Sequence, residues 1–373
     1  MNILAIESSC DETSVAVVSE GRRVLSNVIA SQTELHAKYG GVVPELASRQ
    51  HITAIIPTMT EALEQSGLGR EDLDAIAVTE GPGLAGALLV GVNVGKTLAY
   101  SWKKPLIPVN HLEGHIYSSW LYRDGEEDPG EPELPAVCLI VSGGHTELLL
   151  LHRHGIYEVL GRTLDDAAGE AFDKGARILG LGYPGGPAIQ RAAADRRPVV
   201  NFPRAWLGES YNFSFSGLKT ALLRECEQYR KPAPPPRRGG RQKPDVAPFP
   251  EHEPPEYNPN MPVGELAASY QDAIVDVLVT KTVKAAQEQH AASVLLAGGV
   301  AANALLRTRL QRQLQVPLFI PDFEFCTDNA AMIAAAGYQV VRRGASAGWG
   351  LDVRAQYPLR DLPGVRVIER NAR

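Results

Sequence analysis

The chain has 373 residues, of which 44% are hydrophobic and 21% are charged, and its formal net charge is −6. This length can form two domains with sizeable cores, and the composition is that of an ordinary globular protein, which excludes a fibrous or wholly disordered chain. The negative net charge excludes nucleic-acid binding over the whole surface, so any RNA contact needs a local basic patch or a partner's surface.

The sequence predicts neither an exported protein nor a membrane protein. Residues 1–6 run directly into Glu7 and Asp11 without the pattern of a signal peptide, and no apolar run is long enough to span a bilayer. The four cysteines are scattered and form no Cys-x-x-Cys pair, which indicates neither a zinc knuckle nor a disulfide framework. We therefore expect a cytoplasmic protein with reduced thiols.

The chain begins with a predicted strand, a polar turn and a second strand. Apolar residues 3–6 and 14–18 flank the turn 7–13, which contains Asp11 and Glu12. Backbone N–H groups and hydroxyls in such a turn can hold phosphate, and either carboxylate can hold a metal ion or a proton. A plain polar turn is equally consistent with these residues.

Strands and helices alternate in the next part of the chain. A helix is predicted through Ile55 and Leu63, a strand over 75–79, and another helix from about Leu88 to Ala99. Alternation of elements of this length is typical of α/β layers.

His111 and His115 form a His-x-x-x-His motif. Two histidines four residues apart lie on the same side of a helix, so both rings can face one divalent ion. Asp328, just ahead of an apolar and helix-forming run, would complete a set of two histidines and one carboxylate that leaves coordination positions open for a substrate. The alternative is a helix with two ordinary histidines and a separate N-cap aspartate.

Two further glycine turns follow. Residues 137–150 predict a strand, the small turn Ser142-Gly143-Gly144 and another strand, and this second hairpin suggests a duplicated domain with a cleft between its halves. Gly298-Gly299 follows a buried strand and enters a helix near Asn303, an arrangement that suits an adenine nucleotide. A Gly-Gly pair by itself is more often only a turn.

An acidic stripe is predicted between these two turns. Asp166, Glu170 and Asp173 are spaced i, i+4 and i+7, which puts them on one side of a helix. Such a stripe either faces solvent or lines a cleft, where a carboxylate can accept hydrogen bonds from ribose hydroxyls. Gly186 lies just beyond it, in a glycine-rich turn that a sugar can approach.

Residues 230–262 differ from the rest in composition. They are rich in proline and glycine, with a basic first half and an acidic second half. This composition predicts a flexible insertion rather than a domain. Its basic half could contact RNA phosphates or be a solvated loop.

Together these motifs resemble the TsaD family of tRNA N6-adenosine threonylcarbamoyltransferases. The resemblance covers nearly all of the chain outside 230–262 and rests on the motifs at 7–13, 40–45, 111–115, 141–146, 165–174, 212–220, 297–303 and 325–329. It implies the fold of actin, Hsp70 and the sugar kinases (ASKHA, ribonuclease H-like), in which two duplicated α/β domains surround a nucleotide cleft. We expect the domains at 1–133 and 134–335, with 336–373 packing back on the N-terminal domain.

The resemblance also implies residue roles. His111, His115 and Asp328 would bind one divalent metal ion, with Fe²⁺ expected ahead of Zn²⁺. The substrate would contact Ile140, Val141, Ser142, Gly143 and Gly144 at its acyl-phosphate region, Asp173 and Gly186 at its ribose, and Asn303 at its nucleotide. Asp11 and Glu12 are our candidates for the catalytic base.

The implied reaction moves a threonylcarbamoyl group from L-threonylcarbamoyladenylate to N6 of the adenosine 3′ of the anticodon, in tRNAs that read codons starting with A, and releases AMP. The implied partners are tRNA, a TsaB-like paralogue that pairs through the N-terminal domain, and a TsaE-like ATPase. No membrane contact is expected. The insertion at 230–262 departs from the family's usual pattern.

Three other functions are weighed against this one. Zincin metalloproteases place a glutamate directly after the first histidine, whereas Leu112 stands there and Glu113 lies about 200° around the helix. A small-molecule kinase of the same fold would use Mg²⁺, which prefers carboxylates, waters and phosphate oxygens to two histidines. A non-catalytic scaffold would be expected to have lost part of the ligand set or of the glycine turns.

Overall fold

The computed structural model describes residues 1–231, 249, 252, 254–362 and 366–369. Within them lie two six-stranded sheets. The first sheet consists of β1 (Asn2–Glu7), β2 (Glu12–Ser19), β3 (Arg23–Ser31), β4 (Ala75–Gly81), β5 (Leu106–Asn110) and β6 (Tyr122–Arg123), in the order β5-β4-β1-β2-β3-β6. The second consists of β7 (Ala136–Val141), β8 (Thr146–Arg153), β9 (Ile156–Arg162), β10 (Ser293–Ala297), β11 (Leu318–Phe319) and β12 (Arg366–Glu369), in the order β11-β10-β7-β8-β9-β12.

The two sheets repeat one plan. In each, the first three strands pair antiparallel as consecutive hairpins, and the remaining strands add parallel to them. The strand order is also the same when β7 is matched to β1. This equivalence confirms the duplication predicted from the two similar hairpins.

Helices cover the sheets. They are α1 (Thr33–Ala37), α2 (Pro44–Ser66), α3 (Ala85–Trp102), α4 (His111–Tyr117), α5 (Ala168–Leu179), α6 (Gly185–Ala192), α7 (Ser216–Glu227), α8 (Val263–Glu288), α9 (Ala304–Gln313), α10 (Phe323–Cys326) and α11 (Ala330–Arg342). None of the helices in the described part of the chain combines the length and the apolarity needed to cross a membrane.

Successive side chains along the strands point to opposite faces of each sheet, and the buried apolar residues form three cores. On β1, Leu4 and Ile6 pack with α2 and α3, whereas Ile3 and Ala5 face the opposite side of the sheet. On β7, alternate residues likewise belong to an outer core with α5 and α8 and to a central core. The central core lies between the two sheets and contains α4 and α11, so the molecule has α/β/α/β/α layers.

The helix α11 joins the two halves. It packs against strands of the first sheet although it follows β7 to β11 of the second sheet in sequence. Residues 330–335, which the sequence placed with the second domain, therefore lie with the first sheet. Beyond this helix, Ala347 bridges to Leu106 and the Tyr357 carbonyl accepts a hydrogen bond from Asn110, whereas β12 returns to pair with β9 of the second sheet.

Residues 232–248, 250, 251 and 253, which include most of the basic half of the insertion at 230–262, lie outside the described residues, and the prediction that the insertion is flexible falls largely on them. Its two ends are tied together where the Lys231 amide donates to the Glu256 carbonyl at 3.2 Å. Tyr257 then donates its hydroxyl proton to the Ile178 carbonyl at 2.6 Å, and the His252 amide donates to the Lys38 carbonyl at 2.9 Å. The described part of the insertion therefore contacts both halves.

A buried ion pair fixes α4 in the central layer. Glu113 is fully buried and accepts two hydrogen bonds from the Arg343 guanidinium, at 2.9 and 3.1 Å. The Tyr157 hydroxyl of β9 donates to the same carboxylate at 2.8 Å. These contacts connect α4 to the end of α11 and to the second sheet, which explains why a glutamate is stable inside the core.

Removal of the Arg343 guanidinium should destabilise the fold because Glu113 would remain buried with an unpaired charge. We expect Arg343→Met to lower the free energy of unfolding by about 3 kcal/mol in urea titrations. The matched control is Arg342→Met, since Arg342 is exposed and contacts only the Tyr338 ring among the interactions described, and its effect should stay within about 0.5 kcal/mol. Equal effects of the two substitutions would contradict the buried ion pair.

Candidate active site

Asn110 starts the helix that carries the two histidines. Its side-chain oxygen accepts the Leu112 amide hydrogen at 2.9 Å, which caps α4 at the end of β5. The first helical residue is therefore His111, and His115 follows one turn later. Their ring centroids are 4.7 Å apart, and both side chains are buried, as the i, i+4 spacing predicts.

Asp328 completes the group from the other end of the sequence. Its Oδ1 lies 3.5 Å from Nε2 of His111 and 3.3 Å from Nε2 of His115. Asn329, not Asp328, caps α11 by accepting the Met332 amide hydrogen at 3.0 Å. The alternative of a separate N-cap aspartate is therefore wrong, and the carboxylate faces the histidines.

These three residues fit a divalent metal ion. One ligand atom from each lies within 4.8 Å of the others. Neither ring nitrogen of His115 has a hydrogen-bond partner among the described residues, although His115 is fully buried and its Nε2 lies near Asp328. Two imidazoles and one carboxylate suit Fe²⁺ or Zn²⁺ and leave positions open, whereas Mg²⁺ favours oxygen ligands.

Glu7 orients His111 from behind. Its Oε2 lies 3.1 Å from Nδ1 of His111 and accepts a hydrogen bond from the Thr79 hydroxyl at 2.6 Å. Because a carboxylate accepts, Nδ1 carries a hydrogen, so Nε2 is the nitrogen that faces Asp328 and that would bind a metal ion after losing its proton. This role of Glu7 was not predicted from the sequence. Its position at the end of an apolar strand was the available signal.

The local charges favour a cation at this site. Burial alone would lower the pKa of His111, but the carboxylates of Asp328 and Glu7 outweigh burial and raise it to about 9. Burial would raise the pKa of Asp328, and the neighbouring histidines hold it well below its usual range instead. Burial lowers the pKa of His115, which keeps that imidazole neutral, as a metal ligand must be.

The structure separates Glu113 from the metal ligands. As the ion pair with Arg343 shows, this carboxylate points into the central core and is held there by three hydrogen bonds. It therefore cannot activate a metal-bound water, which is the task of the zincin glutamate. This geometry agrees with the sequence argument against a metalloprotease.

Asp11 ends the turn between β1 and β2, Glu12 is the first residue of β2, and both carboxylates interact electrostatically with Asp328. Burial raises the pKa of Glu12 to about 8, although the Ser31 hydroxyl donates to its Oε1 at 2.8 Å. Burial also raises the pKa of Asp11, and the negative charge of Asp328 adds to both effects. Both carboxylates are thus close enough to Asp328 for its negative charge to raise their pKa values, and both hold a proton more readily than usual.

Asp173 faces Asp11 from the second half of the molecule. Burial raises the pKa of Asp173 to about 6, and the charge of Asp11 contributes to this shift. Oδ1 of Asp173 accepts the Gly185 amide hydrogen at 2.7 Å at the start of α6. A Cβ at Gly186 would have no described atom within 4 Å, so this glycine borders open space.

The predicted acidic stripe is wrong in one member. Because α5 begins at Ala168, Asp166 precedes the helix instead of lying on it. Asp166 and Glu170 both form ion pairs with Lys174, at 2.7 and 2.9 Å. Of the three acids, only Asp173 accepts a hydrogen bond from α6.

The five residues predicted to hold the acyl-phosphate region are not equivalent. The side chains of Ile140 and Val141 are fully buried in β7, in the central and outer cores, so these residues could offer a ligand only backbone atoms. Ser142 is also largely buried, and its hydroxyl accepts the His145 amide hydrogen at 3.2 Å. A Cβ at Gly143 or at Gly144 would have no described atom within 4 Å, which leaves this part of the turn open to a ligand.

The third glycine turn packs closely on the second. Gly298 has φ +88°, and a Cβ there would lie 2.4 Å from the Val141 carbonyl oxygen, so only glycine allows this approach. Asn303 then caps α9 by accepting the Leu306 amide hydrogen at 3.0 Å, and its Nδ2 donates to Gln271 at 2.8 Å. Both polar groups of the Asn303 side chain therefore have partners within the protein.

Glu7 offers a direct test of the metal centre. We expect Glu7→Gln to weaken metal binding by about 10–100-fold, because an amide orients His111 less strongly than a carboxylate does. The measurement is competition with a chelator, followed by quantification of bound metal. His115→Ala should abolish binding, whereas His152→Ala, at an exposed histidine, should not change it. Unchanged affinity in Glu7→Gln would contradict the orienting role.

Comparison with known proteins identifies the family of this chain. The model of the TsaD family, described as tRNA N6-adenosine threonylcarbamoyltransferase, matches residues 23–335. A relative of that name from Thermomicrobium roseum is 62% identical over 360 residues, which are 96% of this chain and 97% of the relative. Another of that name, from Dehalococcoides mccartyi strain CBDB1, is 51% identical over 95% of this chain and 98% of its own length.

A solved structure supports the fold alone. HypF from T. kodakarensis aligns with 91% of this chain and 48% of its own chain, with a TM-score of 0.58 at 14% sequence identity. The expected actin-like duplicated fold is thus confirmed. On its sequence, its repeated α/β architecture and its relatives, the chain belongs to the TsaD family of tRNA N6-adenosine threonylcarbamoyltransferases.

Proposed function

We propose that this protein transfers a threonylcarbamoyl group from L-threonylcarbamoyladenylate to N6 of the adenosine 3′ of the anticodon in tRNAs that read codons starting with A. The observation that carries the proposal is the group of His111, His115 and Asp328, whose carboxylate interacts electrostatically with Asp11 and Glu12. A kinase of this fold would bind Mg²⁺, which prefers oxygen ligands, so two buried imidazoles beside one carboxylate do not suit it. Family membership favours the transferase over that alternative.

The metal ligands and the open glycine turn divide the binding work. His111, His115 and Asp328 would hold Fe²⁺ or Zn²⁺, with Fe²⁺ as our first choice, and the bound ion would polarise an acyl oxygen. Gly143 and Gly144 would let the donor's acyl-phosphate region approach the backbone closely. Asp173 and Gly186 would contact its ribose. Asn303 would act through the helix that it caps, since its own polar groups are engaged.

The transfer step needs a proton acceptor. The N6 amine attacks the carbamoyl carbon, the bond from that carbon to the phosphate oxygen breaks, and AMP leaves with the electron pair. The amine must lose one proton, and we assign this task to Asp11 or Glu12. The raised pKa of Glu12, about 8, supports its assignment because a base with a pKa near the working pH transfers protons efficiently, and the pKa of Asp11 is shifted in the same direction.

The proposed partners follow from the surface of the first half. Ile52 and Ile56 lie one turn apart on α2 and are 65% and 53% exposed, and Leu89 on α3 is 43% exposed. Both helices meet closely, since a Cβ at Gly86 would lie 2.6 Å from the Ser48 hydroxyl. We propose that this apolar face pairs with a TsaB-like paralogue. A TsaE-like ATPase completes the proposed assembly.

An assembly also accounts for tRNA binding by a chain with a net charge of −6, because the cationic surface can be shared among subunits.

All four cysteines are free. This agrees with the cytoplasm as the proposed compartment, where thiols stay reduced.

The proposal is tested by nucleoside mass spectrometry of unmodified tRNA incubated with the metal-loaded protein, the donor adenylate and both partners. We expect threonylcarbamoyladenosine from the native protein and none from Asp328→Ala. His152→Ala serves as the matched surface control and should retain activity. Absence of product from native protein that binds metal normally would contradict the proposed transfer.

The pH profile should identify the base. If Glu12 accepts the proton, the rate should rise with pH through the pKa of Glu12 and then level off, since only the ionised carboxylate is a base. The midpoint should lie at or below about 8, because a bound cation near Asp328 lowers that pKa. Glu12→Gln should remove this rise. If the rate still rises with pH in Glu12→Gln and no longer does so in Asp11→Asn, the base is Asp11.

If neither Asp11→Ala nor Glu12→Ala reduces the rate by more than a few-fold, both residues are excluded as the base.

A further inference from the structure

The turn between β1 and β2 is held from two sides by helices. On the α3 side, the Leu84 amide donates to the Ser9 carbonyl at 2.8 Å, and the Ser8 hydroxyl donates to the Ala87 carbonyl at 3.0 Å. These contacts fix the first half of the turn. Its end is bound to β3, because the Gln32 amide donates to the Asp11 carbonyl at 3.1 Å and Glu12, the first residue of β2, pairs with Ser31.

His51 of α2 holds the same segment from the opposite side. It is fully buried, and its Nε2 lies 3.0 Å from the Cys10 carbonyl oxygen, while its Nδ1 lies 2.7 Å from the Thr13 hydroxyl. A carbonyl oxygen only accepts, so Nε2 carries the hydrogen and Nδ1 accepts from Thr13. One neutral tautomer therefore satisfies both contacts at once. Burial lowers the pKa of His51, which favours this neutral form.

The two anchors stand on either side of the candidate bases. Cys10 precedes Asp11, and Thr13 follows Glu12. A single rigid imidazole thus contacts the backbone before the two-residue segment and a side chain directly after it. Without it, a partly buried carbonyl and a buried hydroxyl lose their partners, and we expect the segment that carries the carboxylates to gain freedom.

We propose that His51 is a positioning residue for the transfer reaction, which holds the Cys10 carbonyl and the Thr13 hydroxyl so that Asp11 and Glu12 keep their place beside the metal centre. This role rests on the proposed function, in which one of these carboxylates takes the proton. His51 itself touches neither the substrate nor the metal. Its effect should therefore be on the rate of the chemical step and not on donor binding.

Two substitutions at His51 separate positioning from packing. In His51→Gln the new side chain has an NH2 group that can donate and a carbonyl oxygen that can accept, so it can replace both contacts. In His51→Leu the new side chain fills similar space and can neither donate nor accept. We expect His51→Leu to lower kcat by about 10–100-fold with little change in KM for the donor, and His51→Gln to restore most of the rate. Thr58→Val is the matched control because Thr58 is buried in the same helix and donates only to Ala54.

A double substitution tests whether the two anchors act together. Thr13→Val removes the hydroxyl at constant volume and should also lower kcat. If His51 and Thr13 form one unit, the double variant Thr13→Val/His51→Leu should be no slower than His51→Leu alone. Rate losses that multiply would contradict a shared role. So would a rise in KM with unchanged kcat in His51→Leu.

Hydrogen exchange provides a readout that does not depend on catalysis. In the full-length protein, His51→Leu should speed amide exchange in the peptide spanning 8–13 by about 10-fold or more, with smaller changes in 2–6 and 14–18, and His51→Gln should reverse this. If the native protein binds metal but makes no product, the proposed function fails and this exchange pattern still decides whether His51 holds the turn. The proposal would be overturned if His51→Leu increased amide exchange equally across the whole first sheet. It would also be overturned if the increase were no larger than in the Thr58→Val control.

Discussion

The arrangement of the site depends on the burial of one short helix between two sheets. All seven residues of α4 are buried, and a helix of this length would not be stable by itself in water. Asn110 caps its start, Glu113 pairs with Arg343 on its far side, and apolar contacts from both sheets surround it. Since His111 and His115 share the opposite side of this helix, the tertiary packing that holds α4 also sets the direction of both imidazoles.

Sheet topology brings the other polar groups to the same place. β1, β4 and β5 are parallel neighbours, so their carboxyl ends meet at one edge and bring Glu7, Thr79 and Asn110 together. The second half contributes Asp173, and the return of the chain to the first sheet contributes Asp328. The acidic turn between β1 and β2 lies among them, held by α2 and α3. The candidate metal ligands and the candidate bases thus lie together at the carboxyl edge of the first sheet.

The sequence predicted features that depend on local periodicity better than those that depend on packing. The spacing of His111 and His115 fixed their common direction because a helix has a constant period. Periodicity could not locate the start of α5, so Asp166 was placed on a helix that begins after it. The link between Glu7 and His111 depends on strand order, which no local pattern contains. The sequence expected the chain to return to the first domain at residue 336, whereas α11 already begins at Ala330, and the resemblance supplied Asp328 and the duplicated fold.

Metal K-edge X-ray absorption of the zinc-loaded protein would show whether α4 carries the metal ion. We predict two imidazole ligands, with nitrogen and oxygen scatterers at about 2.0–2.2 Å and no sulfur. Substitution of His115 should remove one imidazole contribution. A sulfur scatterer at about 2.3 Å, or an all-oxygen shell without imidazole, would contradict this metal centre, because the ion would then lie at Cys10 or in the acidic turn instead of on α4.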